Sequence, residues 1–173
     1  MSRLIGFVAA LFALSGCREA PAEAASPAPA PPRGCVENVQ GPYVVMHVSD
    51  GDTIVVRGEG RNPLTVRLIG VDAPEVDGPY RKAEPGGVEA RGFVGSLLSG
   101  RPVYLESDPQ QGPRDKHGRV LAYVYRAEDC ALINGEIIKQ GYGESYRRFR
   151  FSHREEFVRY EQEARKNRRG LWK

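Results

Sequence analysis

Several hallmarks of common protein classes are missing from this sequence of 173 residues. Its three cysteines and three histidines do not have the paired spacing of a zinc site. The Asp-Gly-Asp segment at residues 50–52 lacks the later acidic and glycine positions of an EF-hand loop. The apolar run Ile5–Leu14 is too short to span a bilayer as a mature helix, and no internal repeat is visible. The sequence therefore excludes a zinc domain, an EF-hand and a repeat array.

The first 17 residues have the pattern of an export signal. Arg3 supplies the positive start, and the apolar run Ile5–Leu14 follows it. The segment 14–17, Leu-Ser-Gly-Cys, resembles the bacterial lipobox, in which the signal is cut before a cysteine that then carries lipid. Residues 1–17 are thus predicted to be a lipoprotein signal, with Cys17 as the lipid-modified anchor. The alternative is an ordinary signal that is cleaved nearby, for example within Ala20–Ala25.

Residues 18–34 separate this signal from the rest of the chain, and they are mostly Ala, Pro, Glu and Ser. Because proline fixes φ and removes a hydrogen-bond donor, this stretch is predicted to be a disordered, extended tether. Residues 35–173 form the predicted globular domain. The protein is expected to be exported and anchored to a membrane, periplasmic or on the cell surface, or to be secreted if the lipobox is not used.

The other two cysteines fit an exported domain, where disulfides persist. With Cys17 assigned to lipid, Cys35 and Cys130 remain as an even pair. The sequence therefore predicts a Cys35–Cys130 disulfide. Two separate buried thiols are the alternative.

Short runs rich in β-branched and aromatic residues predict five strands, at Tyr43–Ser49, Asp52–Arg57, Leu64–Ile69, Val103–Glu106 and Val120–Arg126. The dipeptide Asp50-Gly51 favours a tight hairpin between the first two. Helical periodicity predicts three helices, at Val88–Leu98, Ala131–Gln140 and Ser152–Asn167. Ser152 and Glu155 form a capping-box pattern at the start of the last helix. Five short strands with added helices indicate a small closed β-barrel packed on helices, an α+β fold.

The charge of the chain is mildly basic, with a formal value of +3. The excess is concentrated at one end, because Tyr142–Lys173 contains ten Lys and Arg against five Glu. A basic surface favours polyanions such as nucleic acids. A solvated helix face is the alternative explanation.

Three short segments place polar residues at the edges of predicted strands: Asp50–Thr53, Arg67–Glu75 and Asp115–Arg119. Each one alone has a simpler explanation as a turn or a strand end. Together they supply two carboxylates for a hard cation such as calcium, two arginines for phosphate oxygens, and one carboxylate to orient or deprotonate water. These residues are Asp52 and Asp72, Arg67 and Arg119, and Glu75. The set meets the needs of phosphodiester hydrolysis.

The same segments resemble the signature blocks of the staphylococcal nuclease (thermonuclease) family. DGDT, RLIGVDAPE and DKHGR occur in the family's order and at suitable spacing. Leu121–Tyr125, Asn134–Gly141 and Gly170–Trp172 are also similar, so the resemblance extends from about Tyr43 to Trp172. It implies a five-stranded OB-fold barrel with three α-helices. It also implies a calcium-dependent endonuclease that cleaves DNA and RNA with little sequence preference and leaves 3′-phosphate ends.

The resemblance implies a role for each matching residue around the metal. Asp52 and Asp72 match the calcium-binding aspartates. Ala73 stands where the family often has threonine, and it keeps the backbone carbonyl that joins the metal while it loses a hydroxyl. Glu75 matches the carboxylate regarded as general base or water-orienting group.

Further matches concern the substrate. Arg67 and Arg119 match the arginines that bind phosphate and stabilise the transition state. Lys116 and His117 match a lysine and a tyrosine beside the terminal phosphate, so histidine replaces tyrosine here. Tyr146 is the predicted base-stacking aromatic residue, with Phe149 as the second candidate, and an ordinary core aromatic is the alternative.

Two other interpretations of the whole chain stay open at this point. One is a catalytically inactive OB-fold module that binds nucleic acid, although such a module would be expected to lose the carboxylates. The other is a surface interaction lipoprotein, which would not explain paired arginines among three carboxylates. The protein is expected to act as a monomer.

Overall fold

The computed structural model describes residues 38–78 and 82–173. The predicted signal and tether, together with Cys17 and Cys35, lie outside these residues. Cys130 takes part in a disulfide, and its pairing with Cys35 stays a prediction. None of the helices in the described ranges is long and apolar enough to cross a membrane.

The strands are β1 (Gln40–Asp50), β2 (Thr53–Arg57), β3 (Leu64–Leu68), β4 (Val71–Asp72), β5 (Pro102–Glu106), β6 (Val120–Arg126) and β7 (Glu144–Ser145). A closed barrel contains β1, β2, β3, β6 and β5 in that order, and β4 pairs with β7 in a separate two-stranded sheet. The β3–β6 pair is parallel, while the other barrel pairs are antiparallel. The predicted barrel is confirmed, whereas β4 and β7 were not predicted.

Within the part of the chain that the structure describes, three α-helices accompany the barrel, as predicted: α1 (Gly87–Leu98), α2 (Ile133–Lys139) and α3 (Arg154–Lys166). A 3₁₀ turn at Gly170–Trp172 follows them. Both α2 and α3 are shorter at each end than the sequence pattern predicted. Gly141, with a φ of 78°, follows α2 as expected.

The predicted capping box at the start of α3 is wrong. The hydroxyl of Ser152 donates to Oδ1 of Asp108 at 3.1 Å, and no side chain caps this helix. The hydroxyl is therefore used to join α3 to the β5–β6 loop, and the helix begins two residues later, at Arg154.

The core fills the barrel and the space between the barrel and the helices. Inward-facing strand residues such as Ile54, Val66 and Val124 are fully buried. From outside the barrel, Ile137 of α2 and Phe157 of α3 are also fully buried. Each such side chain contributes about 1.5–3 kcal/mol through burial. A rigid barrel is thus the support for the loops that carry the polar segments.

Asp108 is a buried carboxylate in the loop between β5 and β6, and it is 3% exposed. It accepts hydrogen bonds from the Tyr123 hydroxyl, from the backbone N–H of Ser152 at 2.6 Å and from the backbone N–H of Gln110 at 2.7 Å. Burial works against the charged form, but these hydrogen bonds outweigh it and hold the pKa of Asp108 below its usual value. The carboxylate therefore ties the β5–β6 loop to the start of α3.

Replacing Asp108 with asparagine is expected to lower the free energy of unfolding by about 3 kcal/mol near neutral pH, because an amide cannot accept from all these donors. The pKa is lower in the folded state than in the unfolded state, so the carboxylate stabilises the fold above about pH 4. That contribution is lost as the pH falls further. Urea unfolding of both proteins from acid to neutral pH measures it, and a pH-independent difference would contradict the interpretation.

Candidate active site

A cavity of about 570 Å³ lies where three parts of the chain meet: β3 with the segment after it, the loop before β6, and the segment after β7. This volume is within the range of pockets that take small ligands. Seven residues predicted from the sequence line it: Arg67, Asp72, Glu75, Lys116, His117, Arg119 and Tyr146. Asp52 and Ala73 are not lining residues, and both are buried. Two of the three polar segments, Arg67–Glu75 and Asp115–Arg119, thus meet at the cavity, and the third reaches the site through the contact of Asp52 with Arg67.

Asp52 is placed by the first hairpin of the barrel. Asp50 pairs with Thr53 across β1 and β2, so the turn consists of Gly51 and Asp52. Thr53 then pairs with Arg67 on β3. The sequence prediction started the second strand at Asp52, but the residue belongs to the turn. This register brings the Asp52 carboxylate next to the Arg67 guanidinium.

Arg67 is held on two sides by the groups around it. Its Nη1 lies 2.6 Å from Oδ2 of Asp52 and donates to the Val71 carbonyl at 2.9 Å. The backbone N–H of Ala73 donates to the same Asp52 oxygen at 3.1 Å. The Arg67 side chain is only 16% exposed, and the residue lines the cavity. Its Nη1 is therefore engaged by the protein, while a guanidinium has further N–H donors that a ligand can use.

Burial raises the pKa of Asp52 to about 7, because a carboxylate loses its hydration in the interior. The nearby Arg67 acts in the opposite direction, and the neighbouring Asp50 raises the pKa further. A buried carboxylate in this position is stabilised in its charged form by any cation that approaches it. Arg67 is the cation that does so in this structure.

Asp72 differs from Asp52 because its side chain is 55% exposed. Its Oδ1 lies 3.8 Å from Nη2 of Arg67, so both carboxylates approach one guanidinium. The strand that carries it is fixed by β7, where Glu144 is the partner of Asp72. Glu161 of α3, which is 2% exposed, accepts a hydrogen bond from the Ser145 N–H at 3.0 Å. The buried glutamate thereby holds β7, and β7 holds Asp72.

Glu75 lines the cavity, and its backbone is fixed by a reciprocal pair of hydrogen bonds with Glu84. The Glu75 N–H donates to Oε2 of Glu84 at 3.1 Å, and the Glu84 N–H donates to the Glu75 carbonyl at 2.9 Å. The first residue of α1, Gly87, packs directly on this segment. A Cβ atom at Gly87 would lie 2.2 Å from the Glu75 carbonyl oxygen. Only glycine fits there without displacing Glu75.

Replacing Gly87 with alanine is expected to move the Glu75 backbone and to lower turnover, because a displacement of about 1 Å at a reacting group costs about 10²-fold. Gly92 is the matched control, since it lies in the same helix and a Cβ atom there would meet nothing within 4 Å. Gly92→Ala should leave turnover unchanged and stabilise the helix by up to about 1 kcal/mol. Initial rates of the phosphodiester hydrolysis predicted from the sequence, together with thermal unfolding, measure these effects in both variants. Equal turnover in the two variants would contradict this role of Gly87.

Arg119 is held by the loop that precedes β6. Its Nε donates to Oδ2 of Asp115 at 2.6 Å, and its backbone N–H donates to Oδ1 of the same residue at 3.0 Å. Partial burial would raise the pKa of Asp115, but the hydrogen bonds from Arg119 and from the His117 N–H keep that pKa below its usual value. Lys116 and His117 are at the turn of this loop and also line the cavity. Both arginines of the site are thus oriented by an aspartate.

The segment after β7 forms the remaining wall of the cavity and carries the two aromatic residues predicted as candidates for base stacking, Tyr146 and Phe149. The backbone N–H of Tyr146 donates to the Gly70 carbonyl at 2.9 Å. Its ring lies 5.8 Å from the ring of Phe149, with a tilt of 47°. Phe149 is 57% exposed, and both rings line the cavity. Neither ring is a fully buried core aromatic, and the base-stacking role stays a prediction.

The side chains around Arg67 that could act as metal ligands limit which metal ion the site could hold. Within residues 38–78 and 82–173, no cluster of three or more His, Cys, Asp or Glu side chains is arranged to bind a metal ion. Asp52 and Asp72 nevertheless approach a common cationic group and offer hard oxygen ligands. Such a pair fits calcium if carbonyl, water and substrate oxygens complete the coordination, since calcium takes 6–8 oxygen ligands.

Comparison with known proteins agrees with this geometry. A family model described as staphylococcal nuclease homologue matches residues 65–173. The thermonuclease of Staphylococcus hyicus is 34% identical over 131 residues, which are 75% of this chain and 75% of that protein. The chain belongs to the staphylococcal nuclease family. Asp52 precedes the range of the family model, and its role as a metal ligand stays a prediction.

Two further relatives show how far the similarity extends. The thermonuclease of Staphylococcus intermedius is 40% identical over 99 residues, which cover 57% of this chain and 56% of that protein. Protein ParB of Escherichia coli is 32% identical over 135 residues, which cover 74% of this chain and 70% of that protein. The similarity therefore includes most of the described nuclease-like domain.

Several residues that shape the site were missed by the sequence analysis. Gln111, Arg114 and Arg148 line the cavity. The basic composition of the C-terminal end indicated that its arginines could bind a polyanion. It did not indicate which of these arginines would line the cavity. Glu84 and Gly87 act through the Glu75 backbone, and no sequence signal connects them to it.

Proposed function

We propose that this member of the staphylococcal nuclease family is a calcium-dependent endonuclease that hydrolyses DNA and RNA with low sequence specificity and produces 3′-phosphate ends. The observation that carries this proposal is the convergence of Arg67, Glu75 and Arg119 on one cavity. A pair of oriented guanidinium groups and a carboxylate within the same site can supply the charge stabilisation and the water activation that phosphodiester hydrolysis needs.

Each residue has a definable task in this reaction. Glu75 accepts the proton of the attacking water, whose oxygen forms the new bond to phosphorus. The bond between phosphorus and the 5′ oxygen breaks in line with it. The 5′ oxygen takes up a proton from solvent and leaves as a hydroxyl, and the phosphate stays on the 3′ side. Arg67 and Arg119 donate to the phosphate oxygens as negative charge develops on them. Calcium held by Asp52, Asp72 and the Ala73 carbonyl would neutralise the phosphate during this step.

Each of the two arginines is held in a fixed orientation by an aspartate, and this favours phosphate binding. Asp52 fixes the Arg67 guanidinium at 2.6 Å, and Asp115 fixes that of Arg119 at the same distance. A guanidinium that is already oriented loses less conformational entropy when it binds a phosphate. The remaining predicted contacts, from Lys116, His117 and Tyr146, would position the rest of the nucleotide.

The proposed setting is extracytoplasmic. Cleavage before Cys17, lipid on that cysteine and the tether of residues 18–34 would place a monomeric nuclease domain at a membrane surface. Pairing of Cys35 with Cys130 would join the start of the domain to its body. Calcium outside the cytosol would be abundant enough to fill a site with few protein ligands.

Degradation of plasmid DNA and of single-stranded RNA, with calcium or with a chelator, tests the proposal. Cleavage of both substrates in calcium, inhibition by the chelator and 3′-phosphate product ends are the expected results. Binding without cleavage would instead indicate an inactive nucleic-acid-binding module. Neither binding nor cleavage would indicate an interaction lipoprotein.

A further inference from the structure

We propose that Arg148 is a substrate-binding residue that contacts a non-scissile phosphate of the bound strand. This inference rests on the proposed function, because it adds a second phosphate contact to the same cavity. Arg148 lines the wall formed by the segment after β7, together with Tyr146 and Phe149. Arg67 and Arg119 belong to the other parts of the chain that line this cavity.

The guanidinium of Arg148 is available for a ligand. Within residues 38–78 and 82–173 it makes no hydrogen bond and no ion pair. Its neighbour Arg147 is used in the fold, since its Nη2 lies 3.0 Å from Oε2 of the buried Glu161. Arg114, across the cavity, donates to the Gly118 carbonyl at 2.6 Å. Arg148 therefore lines the cavity with a charge that pairs with no carboxylate among the residues that the structure describes.

The backbone that carries Arg148 is fixed on both sides. On one side, the Tyr146 N–H donates to the Gly70 carbonyl at 2.9 Å. On the other, the Gln111 side chain donates to the Arg150 carbonyl, and the Ser152 N–H donates to Asp108 at 2.6 Å. Only the long side chain of Arg148 has to be ordered when a ligand binds, which keeps the entropic cost low.

A phosphate is the ligand that this chemistry favours. A guanidinium offers five N–H donors in a planar fork that matches two phosphate oxygens. The adjacent exposed ring of Phe149 suits the stacking of an unpaired base. A strand whose base lies on this wall would bring its own backbone phosphate to Arg148. Such a contact is independent of sequence, as expected for a nuclease of low specificity.

Arg150 provides a matched control for the experiment. It is exposed, it is two positions away, and its side chain makes no hydrogen bond or ion pair with the residues that the structure describes. It is not among the residues that line the cavity. Arg148→Ala and Arg150→Ala therefore remove the same charge from the same segment, and only the first one changes the cavity.

Binding of a short fluorescein-labelled single-stranded DNA is measured by fluorescence anisotropy in calcium, in a Glu75→Gln background and over a series of salt concentrations. Arg148→Ala is expected to weaken binding about tenfold, since hydrogen bonds to charged groups are worth about 1.5–3 kcal/mol. It should also reduce the slope of log K against log salt by about 0.7, the value of one phosphate contact on a single strand. Arg150→Ala should change affinity less than about twofold, and Arg148→Lys should keep most of the salt slope because it keeps the charge.

Equal effects of Arg148→Ala and Arg150→Ala on affinity and salt slope would overturn the inference, provided that thermal unfolding shows both variants to be folded. This outcome is distinct from failure of the proposed function. If the wild-type protein does not cleave nucleic acid but Arg148→Ala alone reduces the salt slope, the phosphate contact is supported and the nuclease proposal is not. If the wild-type protein cleaves nucleic acid and the two variants bind equally, the nuclease proposal is supported and the phosphate contact of Arg148 is not.

Discussion

Replacing Glu75 with glutamine is expected to lower turnover about 10³-fold, within the range that a general base contributes. The substitution keeps the shape of the side chain but removes its ability to accept a proton from water. Because the Glu75 segment is fixed through its backbone by Glu84 and Gly87, the change should leave the loop in place. Single-turnover cleavage of plasmid DNA in saturating calcium measures the effect, and thermal unfolding should show a midpoint close to that of the wild type.

Glu59→Gln is the control for this substitution. Glu59 is an exposed residue in the turn between β2 and β3, and it is not part of the cavity wall. Its removal changes the net charge by the same amount without touching the site, so turnover should stay at the wild-type level. If Glu75→Gln retains more than about a tenth of the wild-type turnover, Glu75 is not the base that the mechanism requires.

The barrel could be predicted because each of its strands has its own local signal. Runs rich in Val, Leu, Ile and Tyr mark β2, β3 and β6, with a strict alternation of apolar and polar residues in β3, and the turn at Gly51 marks the hairpin. In contrast, β4 and β7 have two residues each, which is too short for any periodicity. Their pairing depends on Glu161, a buried carboxylate that lies on a distant helix. Contacts of this kind are fixed by tertiary packing and leave no pattern in the sequence.

The members of the site could be predicted, but their arrangement could not. The segments 50–53, 67–75 and 115–119 each ended at a strand edge, so their convergence was a reasonable expectation. The sequence did not indicate that Arg67 bridges Asp52 and Asp72. It also placed Asp52 and Asp72 in equivalent roles, whereas the first is buried and the second is half exposed. This difference follows from the hairpin register and from the β4–β7 pairing.

Replacing Arg67 with glutamine is expected to have the broadest effect of any single change in the site. It removes one partner of a buried ion pair and leaves Asp52 without its cation, which costs about 3–5 kcal/mol of folding free energy at a pH where Asp52 stays charged and less where it takes up a proton. It also removes a donor to the phosphate, which should lower turnover by at least about 10²–10³-fold. Urea unfolding in a chelator and single-turnover cleavage in calcium measure the two effects separately.

Arg67→Lys separates the structural contribution of Arg67 from its catalytic one. Lysine keeps the charge beside Asp52, so most of the lost stability should return. It cannot donate to Asp52, to the Val71 carbonyl and to a phosphate in one plane, so turnover should remain low. Arg119→Lys is the comparison, because the Asp115–Arg119 pair is only partly buried, with side chains 16% and 21% exposed, and contains no carboxylate as deeply buried as Asp52. Its loss should therefore affect turnover far more than stability. Recovery of turnover together with stability in Arg67→Lys would mean that a single positive charge is sufficient at this position, and the proposed requirement for a guanidinium at the phosphate would be wrong.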